Sequence, residues 1–399
     1  MRPRLLLLLA AMTAIGACAP AGGDSGVTEP AGQPAPESRV VVVDPTGAVV
    51  TMLPDGTETE TIAEGAPNRL HFQPQWSPET GRLAWGESSP DGFAVVVVDG
   101  NGDRASYPTT NLPYYLAWAP DGDHLAALSN NAQGRVEALM IDAGSETSAV
   151  LGSAVPYYFS WDPDSRRIVA NRNGDTLDVI DLEGGVTTIA EGSLTYLAPA
   201  WTPAGIFHLT SEGIALSDER GSSARVAGVP HAAWFVPTLD GSRLAVVALG
   251  GDDDRPRELN VAFGQVSDLT PNALTVIDVE TGDSEVVTTE RVAGFFWSPD
   301  GSTLAVLVSG EAVGELAWLL WRDGAGELLG SFGPAQSFVT DVLRFAPQYA
   351  LSLRVWSPAS DALAFAGTVA GRSGIWVQPA DGAGPTWIAE GDWVAWSPP

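Results

Sequence analysis

The chain has 399 residues, with 49 acidic side chains against 20 basic ones and a formal net charge of −29. That charge repels nucleic-acid backbones and anionic headgroups, so electrostatics argue against a phosphate-binding role. Hydrophobic residues at 45% and charged residues at 17% exclude a disordered chain, and Gly 44 with Pro 30 points to many tight turns rather than long helices.

Residues 1–17 read as a secretory signal. Arg2 and Arg4 form a positive n-region, and an apolar run from Leu5 to Ile15 follows, too short to span a bilayer as a helix. The run ends in Ile15-Gly16-Ala17-Cys18. This resembles the lipobox of bacterial lipoproteins, in which small residues admit a peptidase and the cysteine thiol accepts the acyl chain. Cys18 is the lone cysteine of the sequence, so the pattern implies lipid attachment there, a membrane-anchored extracytoplasmic address and no disulfide framework. Residues 18–38 are rich in Gly, Pro and Ala. Such a stretch buries little apolar surface and serves as a tether.

From residue 39 onward the sequence repeats. Trp, any residue, then Pro occurs at Trp76, Trp118, Trp161, Trp201, Trp297, Trp356 and Trp396, with a degenerate copy at Phe235-Val236-Pro237. A period of about 40 residues with four short strands per unit is what one propeller blade occupies. In Ser298-Pro299-Asp300-Gly301 the proline pre-sets φ at the second position of a type I turn, and glycine suits the exit. The tryptophan before each turn offers a large ring for the gap between blades. Continuous apolar runs follow the turns, such as Leu125–Leu128, Leu244–Leu249 and Leu304–Val308, as expected of strands covered on both faces.

The last copy, at Trp396, has no chain left for further strands, while residues 39–66 supply three strand-like runs. The reading is an all-β fold: a β-propeller over 39–399 of eight four-stranded blades, closed by N-terminal strands joining the C-terminal one, which leaves no open edge. Seven blades result if the short fourth unit, residues 201–230, merges with a neighbour. The repeat resembles that of TolB and related WD-like propellers, whose units read Trp-Ser-Pro-Asp-Gly, an apolar strand, then another ending in Asp. The resemblance implies the fold and leaves the activity open. TolB itself carries an α/β domain before six blades, and here only a short linker precedes the repeats.

Candidate chemistry is sparse. His71, His124, His208 and His231 fall in different units without metal-ligand spacing. Asp99-Gly100-Asn101-Gly102-Asp103 opens like a calcium loop, but Arg104 and Thr110 stand where glycine and glutamate are needed, so it reads as a hairpin turn. There is no Gly-x-Ser-x-Gly elbow and no hydrolase domain after the repeats. No catalytic residue, metal or cofactor is therefore assigned.

Two units are longer than the repeat, and such loops are where recognition sits. One carries Asp252, Asp253, Asp254, Arg255 and Arg257; the other carries Phe338, Phe345 and Tyr349, with Val342, Phe345 and Tyr349 at helical spacing. These are the candidate partner contacts, against the blander readings of a solvated loop and a lid packed over the ring. The functional expectation is a lipid-anchored envelope module that binds a protein partner without catalysis. The alternative is an enzyme, hydrolytic or glycan-acting, or a ligand sensor using the central channel.

Overall fold

A computed structural model of the chain describes residues 38–191, 197–228, 233–248 and 272–398. These residues form six four-stranded antiparallel sheets and one seven-stranded sheet. Each sheet is built from consecutive strands, apart from the one that combines both ends of the chain. There Val40–Val43 pairs on one side with Val49–Met52 and on the other with Trp393–Trp396, in the register Val40↔Trp396 to Val43↔Trp393. Arg39 and Ser397 extend the pairing: the Ser397 N–H donates to the Arg39 carbonyl at 2.8 Å, and the Arg39 N–H donates to Ser397 Oγ at 2.9 Å.

The short unit after Trp201 has a sheet of its own, built from Ala200–Thr202, Gly205–Thr210, Gly213–Ser217 and Ser223–Ala227. The seven-stranded sheet arises because one strand serves two groups. Ala325–Pro334 pairs with Leu316–Arg322 over most of its length, and its last residues, Gly333 and Pro334, reach Thr368 and Gly367. Here the Trp-bearing strand shrinks to one bridge, Trp356↔Leu363.

The signature turns form as their residues demand. The N–H of the fourth residue donates to the carbonyl of the first in Ala119–Gly122, Thr238–Gly241 and Ser298–Gly301, at 3.0, 2.9 and 2.8 Å. Gly122 closes its turn at φ +72°, a conformation that costs any residue with a Cβ. A Cβ there would also meet Ser77 Oγ and stand 2.9 Å from the Glu79 backbone nitrogen, because this turn packs on the preceding one. Ser77 Oγ donates to the Gly122 carbonyl at 2.9 Å, joining the two units at the same point.

The tryptophans do more than fill gaps. Trp118 Nε1 donates to the Gln75 carbonyl at 3.3 Å, Trp161 Nε1 to Ala117 at 2.9 Å, Trp297 Nε1 to Val236 at 3.0 Å and Trp356 Nε1 to Phe296 at 3.0 Å. Each bond runs from one unit to the Trp-bearing strand of the unit before it. Arginines add a second inter-unit contact: Arg167 lies over Trp201 and Arg243 over Trp297, each 5.0 Å from the ring centroid. The strands between are apolar on both faces, as in Val40–Val43 and Leu304–Val308, where every residue is buried.

One buried polar cluster lies away from these turns. Glu87 accepts both Arg104 Nη2 contacts at 2.8 and 2.9 Å, and His71 Nε2 stands 3.4 Å from it. His71 Nδ1 bonds the Gly47 carbonyl at 2.7 Å. Burial lowers the His71 pKa from 6.5 and outweighs the attraction of Glu87; burial likewise lowers that of His208, whose Nε2 is 2.7 Å from Ser217 Oγ.

Trp161→Phe, which keeps an aromatic ring but loses the rest of the buried indole with its N–H, is expected to lower unfolding stability by about 1–3 kcal/mol; Gly122→Ala should cost about 1–2 kcal/mol for its backbone alone. Urea denaturation reads both. The histidines, neutral when folded, contribute stability that is full above pH 6.5 and is lost as pH falls through that value toward their lowered folded pKa. The urea midpoint should therefore drop between about pH 7.5 and pH 5.5, and drop less in a His71→Gln/His208→Gln protein.

Candidate functional site

The connection from Ala325–Pro334 to Trp356 is the long aromatic segment, and it is helical. Phe338–Leu343 forms one π-helical turn and Ala346–Tyr349 a short α-helical one, started by Pro347 in its first turn. The helical spacing of Val342, Phe345 and Tyr349 is borne out, and this segment has no strand alternation to send it elsewhere.

Its side chains reach the Trp-bearing strands of several sheets at the ends where those strands begin. Tyr349 stacks on Tyr115 with ring centroids 3.6 Å apart and lies 6.1 Å from Phe159. Phe345 stacks on Tyr115 and Tyr114 at 6.1 and 6.4 Å. The Tyr115 hydroxyl and Ser352 Oγ are 2.9 Å apart, and the Ala198 N–H donates to Gln348 Oε1 at 2.6 Å. Ser337 donates to the Asp392 carbonyl on the other side. Phe338 packs edge-on against Trp318 and Phe332. Burial raises the pKa values of Tyr115 and Tyr349, so both remain neutral phenols.

Between this plug and the signature turns lies a cavity of about 320 Å³. Its wall includes Trp118, Trp161, Trp201, Trp297 and Trp356, and its mouth includes Pro78, Pro120, Pro299 and Pro358 from the turns. Residues 346–354 supply the floor. The residues that define the repeat in sequence thus converge on one hollow. Arg354 is the one charged side chain among the described residues that line it.

The candidates named from sequence distribute as follows. Phe338 and Tyr349 are buried in the plug and Phe345 is half-buried beside them. Asp252, Asp253, Asp254, Arg255 and Arg257 lie outside the described residues, as do Cys18 and His231. His71, His124 and His208 stand in different sheets, each with its own bond; that of His124 is to Asp121, at 2.8 Å. The Asp99 loop is a hairpin turn, as its residues implied. The Asp99 carboxylate accepts the N–H groups of Asp103 and Asn101 at 2.9 Å, and these bonds lower its pKa. Sequence reasoning missed Arg354 and Gln75, which line the cavity. Nothing in either residue's neighbourhood distinguishes it from an ordinary strand-end residue.

No protein-family model matches the chain, and no curated protein matches it in sequence. Solved structures do. A eukaryotic initiation factor aligns at 12% identity over 90% of this chain and 98% of its own, with a TM-score of 0.56. An oligogalacturonate lyase in complex with manganese aligns at 16% identity over 85% and 95%, with a TM-score of 0.52. TolB from Acinetobacter baumannii aligns at 16% identity over 73% of this chain and 63% of its own, with a TM-score of 0.38. The fold is that of a β-propeller, and an enzyme, the oligogalacturonate lyase, is among its structural neighbours. At these identities the likeness extends to the fold alone.

Tyr349→Ala removes the ring that stacks on Tyr115 and should cost about 3–5 kcal/mol, the range for deleting a buried aromatic side chain. Thermal unfolding followed by near-UV circular dichroism measures it; a loss below about 1 kcal/mol would mean that the plug is not anchored through this ring.

Proposed function

We propose that the protein is a lipid-anchored, extracytoplasmic propeller of eight four-stranded blades that works as a non-catalytic binding module of the cell envelope. The eight-blade count takes the seven-stranded sheet as two blades sharing the strand Ala325–Pro334, the second begun by the Trp356 bridge. Ring closure rests on the pairing of Val40–Val43 with Trp393–Trp396. The address rests on the Arg2/Arg4 n-region, the apolar run and Cys18, with residues 18–38 as the tether.

The observation that carries the binding reading is the central cavity. It is walled by indoles and prolines, closed at one end by a packed aromatic plug, and lined by a single charged side chain among the described residues. Acid–base cleavage uses paired groups that give and take protons, and an arginine among indoles holds a ligand rather than exchanging protons with it. The alternative, an enzyme or ligand sensor working at this channel, shares the cavity and differs in turnover. The protein partner is assigned to the charged segment with Asp252, Asp253, Asp254, Arg255 and Arg257, since Phe338 and Tyr349 are occupied in packing.

Cys18→Ala should move the protein from the membrane fraction to the soluble extracytoplasmic fraction. Crosslinking in intact envelopes should then capture a specific protein with the parent chain and lose it when residues 250–262 are deleted. Specific turnover by the purified protein would overturn the binding reading in favour of the enzyme.

A further inference from the structure

Arg354 differs from the arginines of the fold that hold a carboxylate. Arg82, Arg104, Arg167 and Arg172 each pair with a carboxylate, at 2.6–2.8 Å in their shortest contacts. Arg354 forms no ion pair and no side-chain hydrogen bond with any described residue, although the chain holds 49 acidic side chains. It lines the central cavity, where burial lowers its pKa and no nearby charge offsets that effect. A guanidinium stays protonated even so, and a desolvated cation without a counter-charge opposes folding.

Two further donors, Gln75 and Trp76, line the same cavity. The Trp396 N–H donates to the Arg354 carbonyl at 3.3 Å, and Trp393, on the same strand, donates through Nε1 to the Pro74 carbonyl at 3.1 Å. The strand Trp393–Trp396 thus contacts both Arg354 and the strand Leu70–Trp76, and Arg354 and Gln75 line the same cavity. Gln75 is buried, lines the cavity and makes no side-chain hydrogen bond within the described protein. The indole N–H of Trp76, the next residue, is buried without a partner. Among the described strands that carry a signature tryptophan this one alone has a register shift, between Phe72 and Gln75, with Gln73 at φ +50°. A bulge of this kind re-aims the side chains beyond it and is frequent beside functional sites.

We infer that the cavity binds a small monocarboxylate with a flat apolar body, its carboxylate held by Arg354 and the Gln75 amide and its body against the signature indoles. A guanidinium and an amide both donate to a planar carboxylate. One cation matches one negative charge; a phosphate dianion would be left half-neutralised inside a strongly acidic protein. The volume of about 320 Å³ sits at the small end of ligand pockets. This assignment rests on the reading of the central cavity as a binding site.

The test uses the purified full-length chain, with benzoate as probe and benzamide and inorganic phosphate as controls, followed by calorimetric titration and by Tm. Benzoate should bind and raise Tm, while benzamide and phosphate do neither. Arg354→Met should weaken benzoate binding at least tenfold yet raise the Tm of the ligand-free protein, because it removes a half-buried charge that no carboxylate offsets. Gln75→Ala should weaken binding by a smaller factor with the fold retained.

Benzamide binding as tightly as benzoate would overturn the carboxylate assignment. So would a protein indifferent to benzoate, or an Arg354→Met protein less stable than the parent. Turnover of the bound carboxylate would leave this site standing and overturn the non-catalytic reading. Loss of the site with envelope crosslinking intact would do the reverse.

Discussion

Every described sheet must solve the same problem: its inner strands are apolar on both faces, so it is stable only against another sheet. The signature tryptophan solves it at a fixed point. Its ring fills the wedge between two units, and in four units its N–H donates to a carbonyl of the unit before. A purely greasy contact would let adjacent sheets slide or rotate. A directional bond at the same strand end sets the spacing, and the Ser77–Gly122 contact sets it again at the turn. The cavity follows from this constraint, since strands held at their tryptophan ends converge without touching through the centre.

The long connection before Trp356 uses the space so created. A segment that broke away from the surface would leave Phe338, Phe345 and Tyr349 in water. Folded into helical turns, it places them on Trp318, Tyr114 and Tyr115 and closes one end of the hollow. The plug therefore has the packing of a core, although it occupies the position of a loop. Its last residues bring Arg354 to the floor of the cavity, a place where strand pairing alone would put no side chain.

The strands were legible because their chemistry is local. A proline two residues after a tryptophan, followed by Asp-Gly, dictates a turn whatever surrounds it, and the apolar run after it dictates a covered strand. The partnership of the two chain ends was legible too, because an unfinished unit at Trp396 faces unmatched strands at residues 39–66. The indole bonds were not, since their acceptors are backbone carbonyls about 40 to 60 residues away that leave no mark in sequence. The same holds for Arg354 and Gln75. One becomes distinctive only through the counter-charge it lacks, the other only through a bulge two residues earlier. The acidic run at 252–257 announces itself in sequence, whereas the cavity residues are individually unremarked.

The pairing of Val40–Val43 between two other strands has a mechanical consequence. A pull applied at residue 39 runs along that strand and loads the hydrogen-bond ladders on its two sides in shear, so many rungs bear the force together. The reciprocal Arg39–Ser397 bonds sit at the first point to feel it. A body pulled by residue 39 would thus be gripped where it resists extension best, with Trp393–Trp396 as the clamp.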